Sequence, residues 1–153
     1  MPNNLVLVTH AEFAKGILTS LELILGNPCP TAVVSVTAKE TIPTVASMIK
    51  GAIDSMDPAN PTVVLTDIPG GSTTQGAILV SAERSDAYYV AGLNLGLLLE
   101  VALLPLDPDP AAHEANVALL RETVEASRSG IGLVDDLTAG AAEVGEDSDS
   151  GEL

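Results

Sequence analysis

Two short segments of the chain contain side chains that could transfer a chemical group. His10 lies at the end of a continuous apolar run, residues 5–8. An imidazole is well suited to transient phosphorylation near neutral pH, provided that one ring nitrogen is free to attack. The other nitrogen should donate to a carboxylate or carbonyl that fixes the tautomer, and Asp67, at the end of a second apolar run, is the available carboxylate. The pair predicts a phosphoryl acceptor at His10 with Asp67 as its partner.

The turn that follows Asp67 contains groups that could hold phosphate oxygens. Gly70 and Gly71 leave backbone N–H groups open, and we expect Ser72 to cap the helix that comes next. A helix N-terminus with exposed N–H groups attracts phosphate without a basic side chain. This matters in a chain that has only 6 Lys and Arg residues.

Each segment alone has a simpler interpretation, and the other polar candidates are weaker. A single His after a strand is usually a surface residue, and a turn of this type is often no more than a helix cap. We interpret His113 and Glu100 as solvated helix residues and Cys29 as an inert thiol. Residues 107–110 offer too few ligands for Ca²⁺ or Mg²⁺. Nucleotide-binding glycine patterns are absent, so we predict no cofactor and no metal.

Strands and helices alternate along the chain. We predict strands at residues 5–8, 32–36, 62–67 and 88–94, with a possible final strand at 132–137, and helices at 11–25, 41–56, 73–84, 95–104 and 111–128. This order is typical of an α/β fold with a doubly wound, mainly parallel sheet of four to five strands and helices on both faces. Chemistry in such sheets lies at the carboxyl ends of the strands, where the strand order switches. That rule selects residues 9–10, 67–72 and 94–96.

The composition indicates one domain with an aliphatic core. Of the 153 residues 46% are hydrophobic but only 2% are aromatic, so Leu, Val, Ile and Ala must fill the interior. We predict a single domain over residues 1–138. Residues 139–153 are small, polar and acidic, and we expect them to be a disordered tail.

The charge excludes some classes of partner. With 21 acidic residues against 6 basic ones, the net charge is −15. Nucleic-acid binding requires Lys and Arg, and an anionic membrane would repel the chain. The N-terminus does not read as a signal peptide, and the longest apolar run is too short to span a bilayer. We expect a cytoplasmic protein without direct membrane insertion.

Three segments together resemble a known family. Residues 5–11 are similar to its first strand and phosphorylated histidine, residues 63–72 to its D-x-x-G-G-S turn, and residues 90–100 to its G-x-N-x-x-x-L-x-E segment. The family is the IIA component of the mannose-type (mannose/fructose/sorbose) phosphoenolpyruvate-dependent sugar phosphotransferase system (PTS). Two departures are Ile68-Pro69, where an aromatic-containing pair is common, and Thr73, where many members have proline.

The resemblance implies a phosphoryl relay. His10 would accept phosphate from the phosphocarrier protein HPr and pass it to a histidine on a separate IIB component, which phosphorylates sugar during transport through membrane IIC and IID. Asp67 would orient His10, and Gly70, Gly71 and Ser72 would hold phosphate oxygens. The family also suggests a homodimer that exchanges its last strand, here residues 132–137.

Three alternatives stay open. A related fold relays phosphate to dihydroxyacetone kinase, although its turn is usually D-x-G-S-like. A hydrolase could use Ser72, His10 and Asp67 as a triad, but the nucleophile-elbow pattern is absent. A IIA-like regulatory module would be phosphorylated on the same His10 without supporting transport.

Overall fold

The computed structural model describes residues 1–138 of the chain. The strands are β1 (Asn4–His10), β2 (Thr31–Val36), β3 (Thr62–Thr66) and β4 (Ala87–Ala91). The helices are α1 (Phe13–Leu25), α2 (Ile42–Asp54), α3 (Ser72–Glu83), α4 (Leu95–Leu103) and α5 (His113–Ser129). A 3₁₀ turn at Pro110–Ala112 leads into α5. The predicted elements up to residue 128 are therefore present, with their ends shifted by a few residues.

Within the described residues the strands form one parallel sheet in the order β2-β1-β3-β4. The chain runs from β1 to one neighbour, β2, and later returns to the other side of β1 with β3. The strand order therefore switches between β1 and β3. Val8 is paired with Thr66 across this boundary, which brings the carboxyl ends of the two central strands level with each other.

The central strands are buried on both sides, as their continuous apolar runs predict. In β1, Leu5 and Leu7 face a core with α1, α4 and α5, whereas Val6 and Val8 face a core with α2 and α3. The β1 residues in both cores have no exposed surface. Each buried Leu or Val side chain contributes about 1.5–3 kcal/mol through burial of apolar surface. The predicted α/β fold with helices on both faces is confirmed.

The helix ends follow from local sequence. Thr41 accepts the N–H of Thr44 at the start of α2, and Pro43 lies in the first turn, where its missing N–H costs nothing. Gly26 ends α1 with a φ of 74°, a positive value that glycine adopts readily. Because of these residues, α2 begins and α1 ends close to the predicted positions.

The predicted final strand at residues 132–137 is wrong. The backbone is helical over residues 134–138 and exposed to solvent. The N–H of Leu137 donates to the carbonyl of Leu133, and the hydroxyl of Thr138 donates to the carbonyl of Val134. A strand needs a neighbouring strand for its backbone groups, whereas a helical turn satisfies them locally. The predicted acidic tail, residues 139–153, lies outside the described residues.

Among residues 1–138 no helix is both long enough and apolar enough to cross a membrane.

Candidate functional site

His10 and Asp67 meet at the carboxyl ends of the two central strands. His10 is the last residue of β1, and Asp67 directly follows β3. The Oδ2 atom of Asp67 lies 2.8 Å from the His10 ring Nδ1 and accepts the backbone N–H of His10, also at 2.8 Å. The sheet therefore brings together the two side chains that the sequence analysis paired.

The carboxylate of Asp67 is held through both oxygens. Its Oδ1 atom accepts the N–H of Ile68 at 2.9 Å and the hydroxyl of Thr73 at 2.7 Å. Burial alone would raise the pKa of Asp67, but the hydrogen bonds from the His10 backbone and ring, from Thr73 and from Ile68 outweigh it and hold the pKa below its ordinary value. The carboxylate is therefore ionised at neutral pH and able to support a cation on the imidazole.

The other ring nitrogen of His10 is directed away from Asp67. The side chain is 44% exposed, so a reactant can reach it. A Cβ atom added at Gly71 would lie 3.1 Å from Cε1 and 3.7 Å from Nε2, which places Nε2 beside the start of α3. With Nδ1 donating to Asp67, Nε2 is the nitrogen with a free lone pair.

Helix α3 begins one residue earlier than predicted. Gly71 is the N-cap residue and Ser72 the first helical residue, so the expectation that Ser72 caps the helix is wrong. The helix approaches the His10 ring so closely at residue 71 that a side chain there would contact Cε1, and glycine is an acceptable N-cap. The first-turn N–H groups of α3 have no acceptor within the helix and are available to an anion near Nε2.

The turn between Asp67 and α3 is held by its own hydrogen bonds. Gly70 adopts a φ of 87°, which glycine tolerates without strain. The side chain of Gln75 donates to the Gly70 carbonyl at 2.8 Å, and the hydroxyl of Thr74 donates to the Ile68 carbonyl at 2.8 Å. The N–H of Gly71 donates to the Ile68 carbonyl at 3.0 Å, so the expectation that this N–H is open is wrong. The predicted phosphate-binding residues lie in a defined turn, in which Gly71 is next to the His10 ring.

The backbone on the other side of His10 is strained. Ala11 has a φ of 50°, in the left-handed region that non-glycine residues avoid. The buried hydroxyl of Thr9, the residue before His10, accepts the N–H of Ala14 at 2.7 Å. This bond connects the start of α1 to β1. The chain thus turns sharply after His10 and exposes its ring at the sheet edge.

The contacts of the remaining candidate residues are explained by the fold and not by chemistry at the site. Asn94, in the third predicted segment, accepts the N–H of Leu97 and caps α4. His113 stacks on Tyr88 with a distance of 5.2 Å between ring centroids. Cys29 is buried, and burial raises the pKa of its thiol. Within the described part of the chain, His, Cys, Asp and Glu form no group of three or more that could hold a metal.

Thr73 belongs to the site, although its place in the sequence marks it only as a departure from a family pattern. Its side chain has no exposed surface and donates to Asp67 from the first turn of α3. The signal that could have identified it is a hydroxyl residue in the first turn of the helix that follows a functional Asp. That position points the side chain back towards the turn.

The arrangement can accept and release an electrophilic group at Nε2 of His10. The ring is fixed by an ionised carboxylate on one nitrogen, and the other nitrogen faces the positive end of α3. An anionic group on Nε2 would meet backbone N–H donors rather than basic side chains.

Comparison with known proteins identifies the family of the chain. Residues 4–126 match the family model EIIA-man, described as the PTS system fructose IIA component. The sorbose-specific EIIA component of the PTS from Lacticaseibacillus casei is 30% identical over 99 residues, which span 65% of this chain and 71% of that protein.

Solved structures show the same fold. The mannose/sorbose-specific IIA subunit of the phosphotransferase system from Enterococcus faecalis superimposes with a TM-score of 0.73 at 25% identity, covering 88% of this chain and 96% of that one. The phosphotransferase system component EIIA from Streptococcus agalactiae gives a TM-score of 0.70 at 26% identity, with 87% and 98% covered.

Proposed function

This chain belongs to the mannose-type IIA family of the sugar phosphotransferase system, and on that premise we propose that it is a phosphoryl carrier with His10 as the acceptor. The observation that carries the proposal is the His10–Asp67 pair, whose 2.8 Å contact at Nδ1 leaves Nε2 free beside the start of α3. The proposed carrier domain is residues 1–138, which contains the family match.

The proposed transfer begins with attack by the Nε2 lone pair on the phosphorus of phospho-HPr. A new N–P bond forms at His10 as the N–P bond of the donor breaks, and that electron pair returns to the donor nitrogen. The Nδ1 proton stays with His10 and the Asp67 carboxylate balances the positive charge of the ring. No proton has to move during the step, so the carboxylate acts by orientation and charge.

The phosphoryl oxygens would be received at the start of α3. The start of α3 at Gly71 lies beside Nε2, and we propose the first-turn N–H groups, the Gly70–Gly71 turn and the Ser72 hydroxyl as the phosphate-binding groups. Such donors stabilise an anion without a lysine or arginine. This explains how a chain with a net charge of −15 could hold a phosphoryl group.

The same geometry serves the second transfer. A histidine of a separate IIB component would attack the phosphorus and leave Nε2 of His10 with its lone pair, and IIB would then phosphorylate the sugar carried through membrane IIC and IID. We place this relay in the cytoplasm, because the family resemblance assigns both the donor and the acceptor to that side.

Intact mass measurement tests the carrier function. We expect a gain of one phosphoryl group, about 80 Da, after incubation with phosphoenolpyruvate, enzyme I and HPr, and an acid-labile product. The His10→Ala variant should fold and show no gain. Phosphate on that variant, or no phosphate on the wild type with an active donor, would contradict the proposal.

The phosphorylated protein then identifies the acceptor. Loss of the phosphoryl group to a IIB component supports sugar transport. Loss to a dihydroxyacetone kinase subunit instead supports the alternative relay, and retention with both acceptors supports a regulatory module.

We also propose a homodimer. Among the described residues β4 pairs on one side only, and an open groove between β4 and α5 lies along its other side. Ile131, Leu133 and Val134 are each more than 70% exposed in the single chain. Free strand edges and exposed apolar side chains favour association.

Solution mass tests the dimer. A value of twice 15.6 kDa is expected, and Ile131→Ser should shift the equilibrium towards the monomer because it removes apolar surface that no described contact within the chain buries. A wild type that stays monomeric at the concentration of the transfer assay would contradict this part of the proposal.

A further inference from the structure

We propose that Thr73 is a positioning residue for phosphoryl transfer, acting on His10 through the carboxylate of Asp67. This inference rests on the proposed function of His10. The Thr73 hydroxyl donates to the carboxylate of Asp67, and its effect would be on the direction in which the carboxylate holds the ring.

The contact is short and buried. The Thr73 hydroxyl lies 2.7 Å from Oδ1 of Asp67, and the Thr73 side chain has no exposed surface. The Asp67 side chain is only 7% exposed, so little water competes for the same oxygen. A hydrogen bond to an ionised group in such surroundings is stronger and better directed than one between neutral groups.

The two carboxylate oxygens have separate partners. Oδ2 faces the backbone and ring of His10, whereas Oδ1 accepts from Thr73 and from the neighbouring Ile68 N–H. The Ile68 donor belongs to the same turn as Asp67 and would move with it. The Thr73 donor belongs to α3, so it fixes the plane of the carboxylate relative to a separate element.

Helix α3 is itself firmly placed. Gly76 packs against α2 so closely that an added Cβ atom would lie 2.6 Å from a methyl carbon of Val45. The N-terminus of the same helix is the expected site of the phosphoryl oxygens. One rigid helix would therefore set both the orientation of the His10 ring, through Thr73 and Asp67, and the position of the anion donors. Functional groups held on rigid elements in this way keep the accurate geometry that transfer requires.

Thr74 provides a matched control. It is the next residue of α3, and its hydroxyl donates to the Ile68 carbonyl at 2.8 Å and lies 2.7 Å from the Thr66 hydroxyl, without contacting the carboxylate. Thr73→Val and Thr74→Val each remove one hydroxyl from the same helical turn without changing the side-chain shape much. Thr73→Ser keeps the donor and should restore function.

The first readout is the rate of phosphorylation at several concentrations of phospho-HPr. We expect Thr73→Val to lower kcat by about tenfold with KM changed by less than about twofold, because the ring is misdirected while the docking surface is intact. Thr73→Ser should stay within about threefold of the wild-type kcat, and Thr74→Val, which loosens the turn without removing a donor from the carboxylate, should lose clearly less than Thr73→Val. Equal losses in the two valine variants would overturn the inference, since they would indicate a general disturbance of the turn.

The second readout is ¹⁵N NMR of the imidazole rings in the unphosphorylated protein at about pH 8.5, above the ordinary histidine pKa. The chain has 2 histidines, so His113 serves as an internal reference. In the wild type we expect a proton on Nδ1 of His10 and none on Nε2, and in Thr73→Val a mixture of tautomers with unchanged His113 signals.

This second measurement separates the inference from the proposed function. A wild type that accepts no phosphate would refute the carrier role, yet the NMR comparison would still decide whether Thr73 positions the ring. Wild-type His10 signals in Thr73→Val would overturn the inference whatever the phosphorylation rates are.

Discussion

A single oxygen atom, Oδ2 of Asp67, holds both the backbone N–H and the ring Nδ1 of His10, each at 2.8 Å. The ring and the end of its strand are therefore fixed by the same group. The other oxygen faces two further donors, so all four contacts require an acceptor. A carboxylate meets this requirement, and an amide of the same shape does not.

Asp67→Asn should both slow transfer and destabilise the fold. Whichever way the amide is oriented, its NH₂ group faces backbone or side-chain donors and leaves an N–H without an acceptor. We expect a loss of about 1–3 kcal/mol in the free energy of unfolding, as for a buried donor left unpaired, and phosphorylation slower by at least about tenfold. Urea unfolding and the intact-mass time course measure the two effects. Wild-type rates in a folded variant would remove Asp67 from the mechanism.

The acid stability of the protein should depend on the same carboxylate. The folded-state pKa of Asp67 is lower than its ordinary value, near 3.9 in an unfolded chain. The stabilisation is therefore fully present above that unfolded value and is lost as the pH falls through the folded-state pKa. The difference in unfolding free energy between wild type and Asp67→Asn should shrink below about pH 4, where the carboxylate becomes protonated. The comparison cancels the other carboxyl groups, and a difference that keeps growing below about pH 4 would contradict the prediction.

Gly71→Ala should impair the site more than the fold. The new methyl group would lie 3.1 Å from Cε1 of His10 and 3.2 Å from the Ile68 carbonyl oxygen, so the ring or the turn must move. We expect phosphorylation slower by about tenfold and a loss of stability below about 1.5 kcal/mol. Gly16→Ala is the control, since its Cβ would meet nothing within 4 Å. That change in α1 should raise stability by about 0.5–1 kcal/mol at an unchanged rate.

Ala11 offers a test of backbone strain beside the acceptor. With a φ of 50° it adopts a conformation that costs an L-residue about 1–2 kcal/mol. Ala11→Gly should remove this strain, and after the larger entropy of the unfolded glycine is subtracted we expect a gain of up to about 1 kcal/mol. Ala11→Val should lower stability by about 1 kcal/mol or more, because β-branched residues tolerate a positive φ poorly. Thermal and urea unfolding would show whether the two variants move in opposite directions.

Much of the fold and the His10–Asp67 pairing could be predicted from the sequence. Apolar runs on both sides of a helical pattern indicate a parallel sheet, and the rule for such sheets places both residues at one edge without knowledge of their distance. The roles of Gly70, Gly71 and Ser72 in binding phosphate stay predictions. The closeness of Gly71 to the His10 ring is a finding.

The errors have local causes. Residues 132–137 contain three apolar side chains, one of them β-branched, and so resemble a strand, but within the described chain residues 134–138 form a helical turn instead. Whether a strand forms depends on an available partner, which a pattern along one segment cannot report. The boundary of α3 was displaced by one residue because a Ser is the better cap by propensity, while close approach to the His10 ring places Gly71 there. Thr73 was missed because its contact is defined only by the three-dimensional path of the turn.

The position of the acceptor at the centre of the sheet links its chemistry to the state of the whole chain. His10 and Asp67 are 57 residues apart and follow strands that pair directly with each other. Fraying of β2 or β4 at the outside of the sheet leaves this pair in contact, whereas separation of β1 from β3 opens both cores at once. A chain emerging from the ribosome would have no competent acceptor until β3 and α3 had been synthesised and packed. Under the proposed function, the phosphoryl relay would pass only through molecules whose central sheet is complete.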